Sequence, residues 1–291
     1  MLVLAAAAGF GLMAVFARTA YAAGANPPTL LALRFTLAAV LLVALVRMRG
    51  RPWPRGRVLA GLVAMGGVFY TLIAQCYFAA LTQASAALVA LVLYTFPVLV
   101  MAINVACFGE RLTRTKLGAA LLTMIGLAIT IGGELHGSAG GIALALVAAA
   151  GYAAYILIGD RLARGADPLA GGAVVIAASA LASALFALAE GVQLPQTGAG
   201  WAAVLGIALV STVFAMTAFL EGLARVGSTR AAMASTFEPV VTVTSAALLL
   251  GEPLGAGRIA GGVLIIAAVV LLARPPAPNP SPPPSPSGVN A

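Results

Sequence analysis

Residues 228–252 read STRAAMASTFEPVVTVTSAALLLGE, and residues 86–110 read AALVALVLYTFPVLVMAINVACFGE. Both are apolar runs with a proline near the middle and Gly-Glu at the end. Displacing one by 142 residues sets Pro97 on Pro239, Gly109 on Gly251, Glu110 on Glu252 and Leu112 on Leu254. The same displacement carries Ala7-Ala8-Gly9-Phe10 onto Ala149-Ala150-Gly151-Tyr152. One offset that works at both ends of the copy argues an internal duplication. The reading is two halves of one design, residues 1–133 and 134–274, followed by a tail.

Composition sets the solvent. Apolar residues make up 62% of the 291 residues and charged residues only 8%; the mean hydropathy is +1.07. Soluble domains are about one quarter charged, so this is an all-α polytopic membrane protein with the lipid bilayer as its surroundings. Barrel strands would alternate in polarity, and these runs do not. The net charge of +8 sits in short loops and orients helices, so it does not indicate nucleic acid. The N-terminus has no basic stretch before its first apolar run, which reads as a retained helix. Cys76 and Cys107 lie inside apolar runs without metal-ligand spacing and read as packing residues.

Ten spans emerge, near residues 2–22, 29–48, 57–80, 86–108, 115–133, 139–159, 168–189, 200–221, 228–250 and 257–274. Arg47, Arg49, Arg51, Arg55 and Arg57 follow span two, and Arg111, Arg114 and Lys116 follow span four. Arg161, Arg164, Arg225 and Arg230 follow spans six and eight. The positive-inside rule then places both termini in the cytoplasm. Five spans per copy is an odd number, so the second copy is expected to be inverted, as in secondary transporters with a midplane site between the copies. The Pro- and Ser-rich residues 275–291 read as a disordered cytoplasmic tail.

Ten spans in two inverted repeats, Leu33-Arg34-Phe35 in span two, Pro97 ahead of Gly109-Glu110, and Glu238-Pro239 ahead of Gly251-Glu252 together resemble the drug/metabolite transporter superfamily. The branch is the ten-helix exporters built from two EamA-type domains. The resemblance implies a basket of helices one to four and six to nine around a central cavity, with helices five and ten peripheral. It implies export of amino acids, most like the aromatic and neutral amino-acid exporters, or of other metabolites or drugs, across a bacterial-type inner membrane. No cofactor or metal is expected, and the assembly expected is a monomer or weak homodimer. Span one shows Gly9-Phe10-Gly11 where the family commonly has a Trp-Gly pair.

Glu238 is the one acidic residue well inside a span, where an ionisable group is costly and faces a cavity or a partner. Pro239 disturbs the helix at the same level. Ser235, Glu238, Thr242 and Ser245 fall on one helical stripe. The functional reading is contact with a substrate amine or proton coupling; the structural reading is a Glu hydrogen-bonded between helices. Tyr94 and Met101 on span four, Gln75 and Phe78 on span three, Tyr152 and Tyr155 on span six, and Phe10 on span one complete a candidate cavity. Across the copies Gln75 matches Thr217, and Tyr77 matches Phe219. Such a set suits a ligand with an apolar side chain and a few polar handles. Ordinary helix packing through polar groups is the rival reading. Arg34, near the outer end of span two, is expected at an entrance, snorkelling to the interface or drawing anions inward. Pro97, Pro239, Gly109, Glu110, Gly251 and Glu252 are expected to be hinge or capping residues.

Other classes fit poorly. The sole histidine, His136, lies in a short loop away from any serine nucleophile, and neither a metal cluster nor a channel filter appears.

Overall fold

The computed structural model describes residues 1–81, 83–84, 86–131, 137–162, 166–250 and 255–273. Expected positions Gly251 and Glu252, His136 and the tail 275–291 lie outside the described residues, as does the side chain of Phe78. Among the described residues there is no strand, only an isolated bridge between Ala84 and Gly137.

In chain order, α1 (Leu2–Gly11) and α2 (Met13–Ala22) form one interrupted span, followed by α3 (Pro27–Met48). Next, α4 (Gly56–Ala64) passes through a π segment, Met65–Tyr70, into α5 (Thr71–Leu81). α6 (Ala86–Leu93) and α7 (Phe96–Phe108) meet at a two-residue turn, and α8 (Arg114–Ile131) follows. Then come α9 (Ala139–Leu162) and α10 (Pro168–Glu190). α11 (Gly198–Ala208) runs through a second π segment, Leu209–Phe214, into α12 (Ala215–Val226). α13 (Ser228–Ser235) and α14 (Glu238–Leu250) form another broken span, and α15 (Ala256–Ala273) ends the described chain. The bounds of α6, α7 and α8 fall on those of α13, α14 and α15 at the offset of 142 read from the sequence.

Among the described residues, eight helical stretches are long and apolar enough to cross a membrane. The expected spans five and ten are the 18-residue helices α8 and α15, which pack along each other and are not among the eight.

The breaks have local causes. Proline is favoured in the first turn of a helix, where no partner is needed for its missing N–H. Pro97 therefore sits in the first turn of α7, just past the Tyr94-Thr95 turn, and Pro239 in the first turn of α14, just past Thr236-Phe237. The π segments free carbonyls, and hydroxyls recover them. Thr71 Oγ1 donates to the Gly66 carbonyl at 3.2 Å, Ser179 Oγ donates to the same oxygen at 3.1 Å, and Thr212 Oγ1 donates to the Ile207 carbonyl at 2.9 Å. Gly109 ends α7 with φ of +66°, a left-handed cap that glycine adopts without strain.

The main core gathers Phe10, Phe35, Phe96, Tyr155, Met216 and Phe219 from five helices. A separate cluster of Met101, Ala119, Met233 and Ala268 fastens the α8–α15 pair to α7 and α13. The two broken spans thus hold the middle of the molecule, and α8 and α15 lie to one side.

Candidate functional site

Where a helix breaks inside a membrane, the freed backbone groups must be buried in protein or face a cavity. The break at Thr236-Phe237 makes Glu238 the first residue of α14, so its carboxylate sits at a helix N-terminus, which favours negative charge. Glu238 is half-buried, and the Tyr94 hydroxyl, from the matching turn between α6 and α7, hydrogen-bonds its side chain. α1 reaches the same place. A Cβ on Gly11 would lie 2.6 Å from Val241 Cβ and 2.9 Å from the Glu238 carbonyl oxygen, so only glycine admits this approach.

From Glu238 an aromatic wall runs across the core. Tyr94 and Phe96 have ring centroids 6.2 Å apart, Phe96 and Tyr152 4.4 Å, Tyr152 and Tyr155 6.2 Å, and Tyr155 and Tyr70 5.6 Å. Beside Tyr70, Arg34 Nη2 donates to the tyrosine hydroxyl at 3.1 Å, and Nη1 donates to Met13 Sδ at 2.9 Å. Arg34 is only 3% exposed, which corrects the expectation of a snorkelling entrance residue. The Tyr70 hydroxyl and the Phe35 ring, 4.3 Å from the guanidinium carbon, hold its head in the core. Arg34 lies within electrostatic range of Glu238.

Other expected positions divide. Tyr94, Tyr152, Tyr155 and Glu238 come together in the wall. Phe10 and Phe219 pack edge to face at 6.4 Å, both buried, as a core pair beside it. Gln75 is half-buried on α5. Met101 is a correction: it packs with Met233 and Ala119 toward the α8–α15 pair. The polar stripe of span nine is spent on its own helix, because Ser235, Thr242 and Ser245 donate to the carbonyls of Ala231, Glu238 and Thr242. Thr217 likewise donates to Val213 and Phe214 at the end of the π segment. The candidate list omitted Tyr70 and Phe96. Tyr70 sits seven residues before Tyr77 on one helical face, a spacing visible in the sequence.

A cavity of about 620 Å³ opens at the basic end of the bundle, lined by Asn104, Glu110, Lys116, Asp160, Arg161 and Thr229 among others. It lies roughly 15 Å along the span from Glu238, at 1.5 Å per helical residue. Its wall is a network joining α7 to α13. Asn104 Nδ2 donates to Ser228 Oγ and Thr229 Oγ1, each at 2.8 Å. Thr229 Oγ1 donates to Glu110 Oε2 at 2.6 Å, and Lys116 Nζ to Glu110 Oε1 at 2.7 Å. Partial burial works to raise the Glu110 carboxyl, but the hydrogen bonds from Lys116 and Thr229 and the Lys116 charge hold it below its ordinary value.

Comparison with known proteins decides the class. The sequence profile of the EamA-like transporter family matches residues 1–132 and again residues 139–274. The chain belongs to the EamA-like transporter family. A Bacillus subtilis relative, the uncharacterized transporter YcbK, is 28% identical over 273 residues, covering 88% of this chain and 87% of its own. A Salmonella typhimurium relative named a "probable amino-acid metabolite efflux pump" is 30% identical over 201 residues, 64% of this chain and 67% of that one. A solved crystal structure of a protein superposes on this transporter with a TM-score of 0.79 at 23% identity, covering 94% and 95% of the two chains, a likeness of fold. Its family and its relatives point to a membrane transporter.

Proposed function

We propose that this EamA-family transporter exports amino acids, aromatic and neutral ones in particular, by alternating access. The carrying observation is the meeting of Glu238 and Tyr94 at the two helix breaks, inside an aromatic wall. A charged group there is costly unless it serves a ligand or a partner, and aromatic rings offer area to an apolar side chain. The name of the Salmonella relative supports an amino-acid metabolite as cargo. Ten crossings in two inverted copies, residues 1–133 and 134–274, with both termini cytoplasmic, complete the reading. The matched bounds of α6–α8 and α13–α15 support the copies, and the basic loops support the orientation. The cavity ringed by Lys116, Arg161 and Arg230 is then the cytoplasmic approach to the site.

The test is counterflow of labelled amino acids by the purified transporter in proteoliposomes, across a panel from glycine to phenylalanine. Saturable exchange that favours phenylalanine is expected. Exchange of unrelated cationic drugs with no exchange of any amino acid would replace this reading with drug efflux.

A further inference from the structure

Arg34 is the buried charge that the amino-acid reading does not by itself require. A guanidinium carries five N–H donors. Here one nitrogen donates to Tyr70 and another to the weak acceptor Met13 Sδ, while Nε is buried with no hydrogen-bond partner. A buried donor left unanswered costs free energy, and the group that answers a guanidinium best is a carboxylate accepting from two nitrogens at once. Among the described residues, Arg34 and Glu238 do not close an ion pair, although each lies in the field of the other. The cation is fixed by Tyr70 and the anion by Tyr94, and both tyrosines belong to one packed set of rings with Tyr155, Tyr152 and Phe96, in which Tyr152 lies within electrostatic range of Glu238 and of Tyr70.

We infer that Arg34 and Glu238 are the two poles of a zwitterion site, Arg34 receiving the carboxylate and Glu238 the ammonium group of one substrate molecule. This rests on the amino-acid reading above and deepens it. A zwitterion taken out of water loses the hydration of both charges, and the loss is offset only when each meets a fixed opposite charge. Helix α14 adds to the anionic pole, since its N-terminus favours the Glu238 carboxylate. The Met13 contact adds little to the cationic pole, because a thioether is a weak acceptor, and so leaves the guanidinium open to a stronger one. Specificity follows from the same economy: a ligand with only one charge leaves the opposite pole unanswered.

The experiment uses the full-length transporter in proteoliposomes with three probes of one shape. They are L-phenylalanine, phenethylamine, which lacks the carboxylate, and 3-phenylpropanoate, which lacks the amine. The wild type is expected to exchange phenylalanine at least tenfold better than either half-molecule. Arg34→Gln should remove the advantage of phenylalanine over phenethylamine while phenethylamine exchange persists. Glu238→Gln should remove the advantage over 3-phenylpropanoate. Arg34→Lys, which keeps the charge but not the fork, should retain part of the preference and guards against a Gln variant that fails to fold. Thermal midpoints and gel-filtration profiles in detergent identify folded variants. A folded Arg34 variant, Gln or Lys, that lowers all three probes by one common factor overturns the inference and leaves amino-acid export standing. A wild type that exchanges none of the three overturns both.

Discussion

Glu110 and Thr229, 119 residues apart in the chain, are joined by a 2.6 Å hydrogen bond at the basic end of the bundle. Asn104 holds the same threonine from α7, and Lys116 holds the same carboxylate from α8. The end of one broken span is thereby tied to the start of the other, beside the cavity of about 620 Å³. On the alternating-access reading proposed above, α7 and α13 part only when this tie loosens.

That tie has a pH dependence with a definite sign. The Glu110 carboxyl lies below its ordinary value in the folded protein. The stability it contributes is therefore fully present above the unfolded glutamate value of about 4.3, and is lost as pH falls through the lower folded value. The thermal midpoint in detergent should fall more steeply with acid in the wild type than in Glu110→Gln, with the two curves converging at the lowest pH. Parallel curves from pH 6 to pH 3 would show that the tie carries no such linkage.

Gly11 is expected to be intolerant of size. A side chain there meets Val241 and the Glu238 carbonyl at once, and overpacking of this kind costs about 1–3 kcal/mol. Gly11→Val should lower the thermal midpoint and slow exchange more than Gly118→Val. A Cβ on Gly118 has its nearest contact at 3.7 Å, from Leu271. Equal effects of the two substitutions would remove the claim that α1 and α14 must touch.

The aromatic wall should tune the choice of substrate. Tyr152→Ala deletes a half-buried ring 4.4 Å from Phe96, and truncation of a large buried side chain costs up to about 3–5 kcal/mol. Exchange of bulky apolar amino acids should fall at least tenfold while that of small ones falls less. Tyr94→Ala should act in the same direction. Uniform loss with poor folding would mark both rings as packing alone.

Glu238→Gln separates two mechanisms that share one residue. If the carboxylate carries a coupling proton, the variant should lose its response to a pH gradient and keep exchange. If it receives an ammonium group, affinity should fall with and without a gradient. The second outcome is the expected one, because a relay needs a second acid and no other acidic residue lies deep in the spans. Normal transport with an unchanged gradient response would leave Glu238 as a bond between helices.

Inversion of the second copy is checked by topology. A reporter fused after Glu110 should read cytoplasmic, and one after Glu252 periplasmic. Two readings on the same side would rule out inverted copies.

The membrane class, the repeat and the breaks at Pro97 and Pro239 were all legible in the sequence, for a physical reason. Hydropathy, proline and glycine act through the backbone and the solvent, so their effect is local and survives without knowledge of neighbours. Glu238 was legible on the same ground, since charge in an apolar run needs an explanation wherever the helix lies. What hydroxyls and long side chains do depends on rotation about helix axes and on which helices meet. The stripe from Ser235 to Ser245 looked like one polar face, but a two-residue turn after Ser235 interrupts its period, and its hydroxyls bond to their own helix. Met101 shares a span with Tyr94, yet the packing of α8 and α15 takes it to the other side. Arg34 stands near a helix end, where a flexible cation ordinarily reaches water. Only the tertiary structure turns it inward, because Tyr70, 36 residues further on, supplies the acceptor that holds it there.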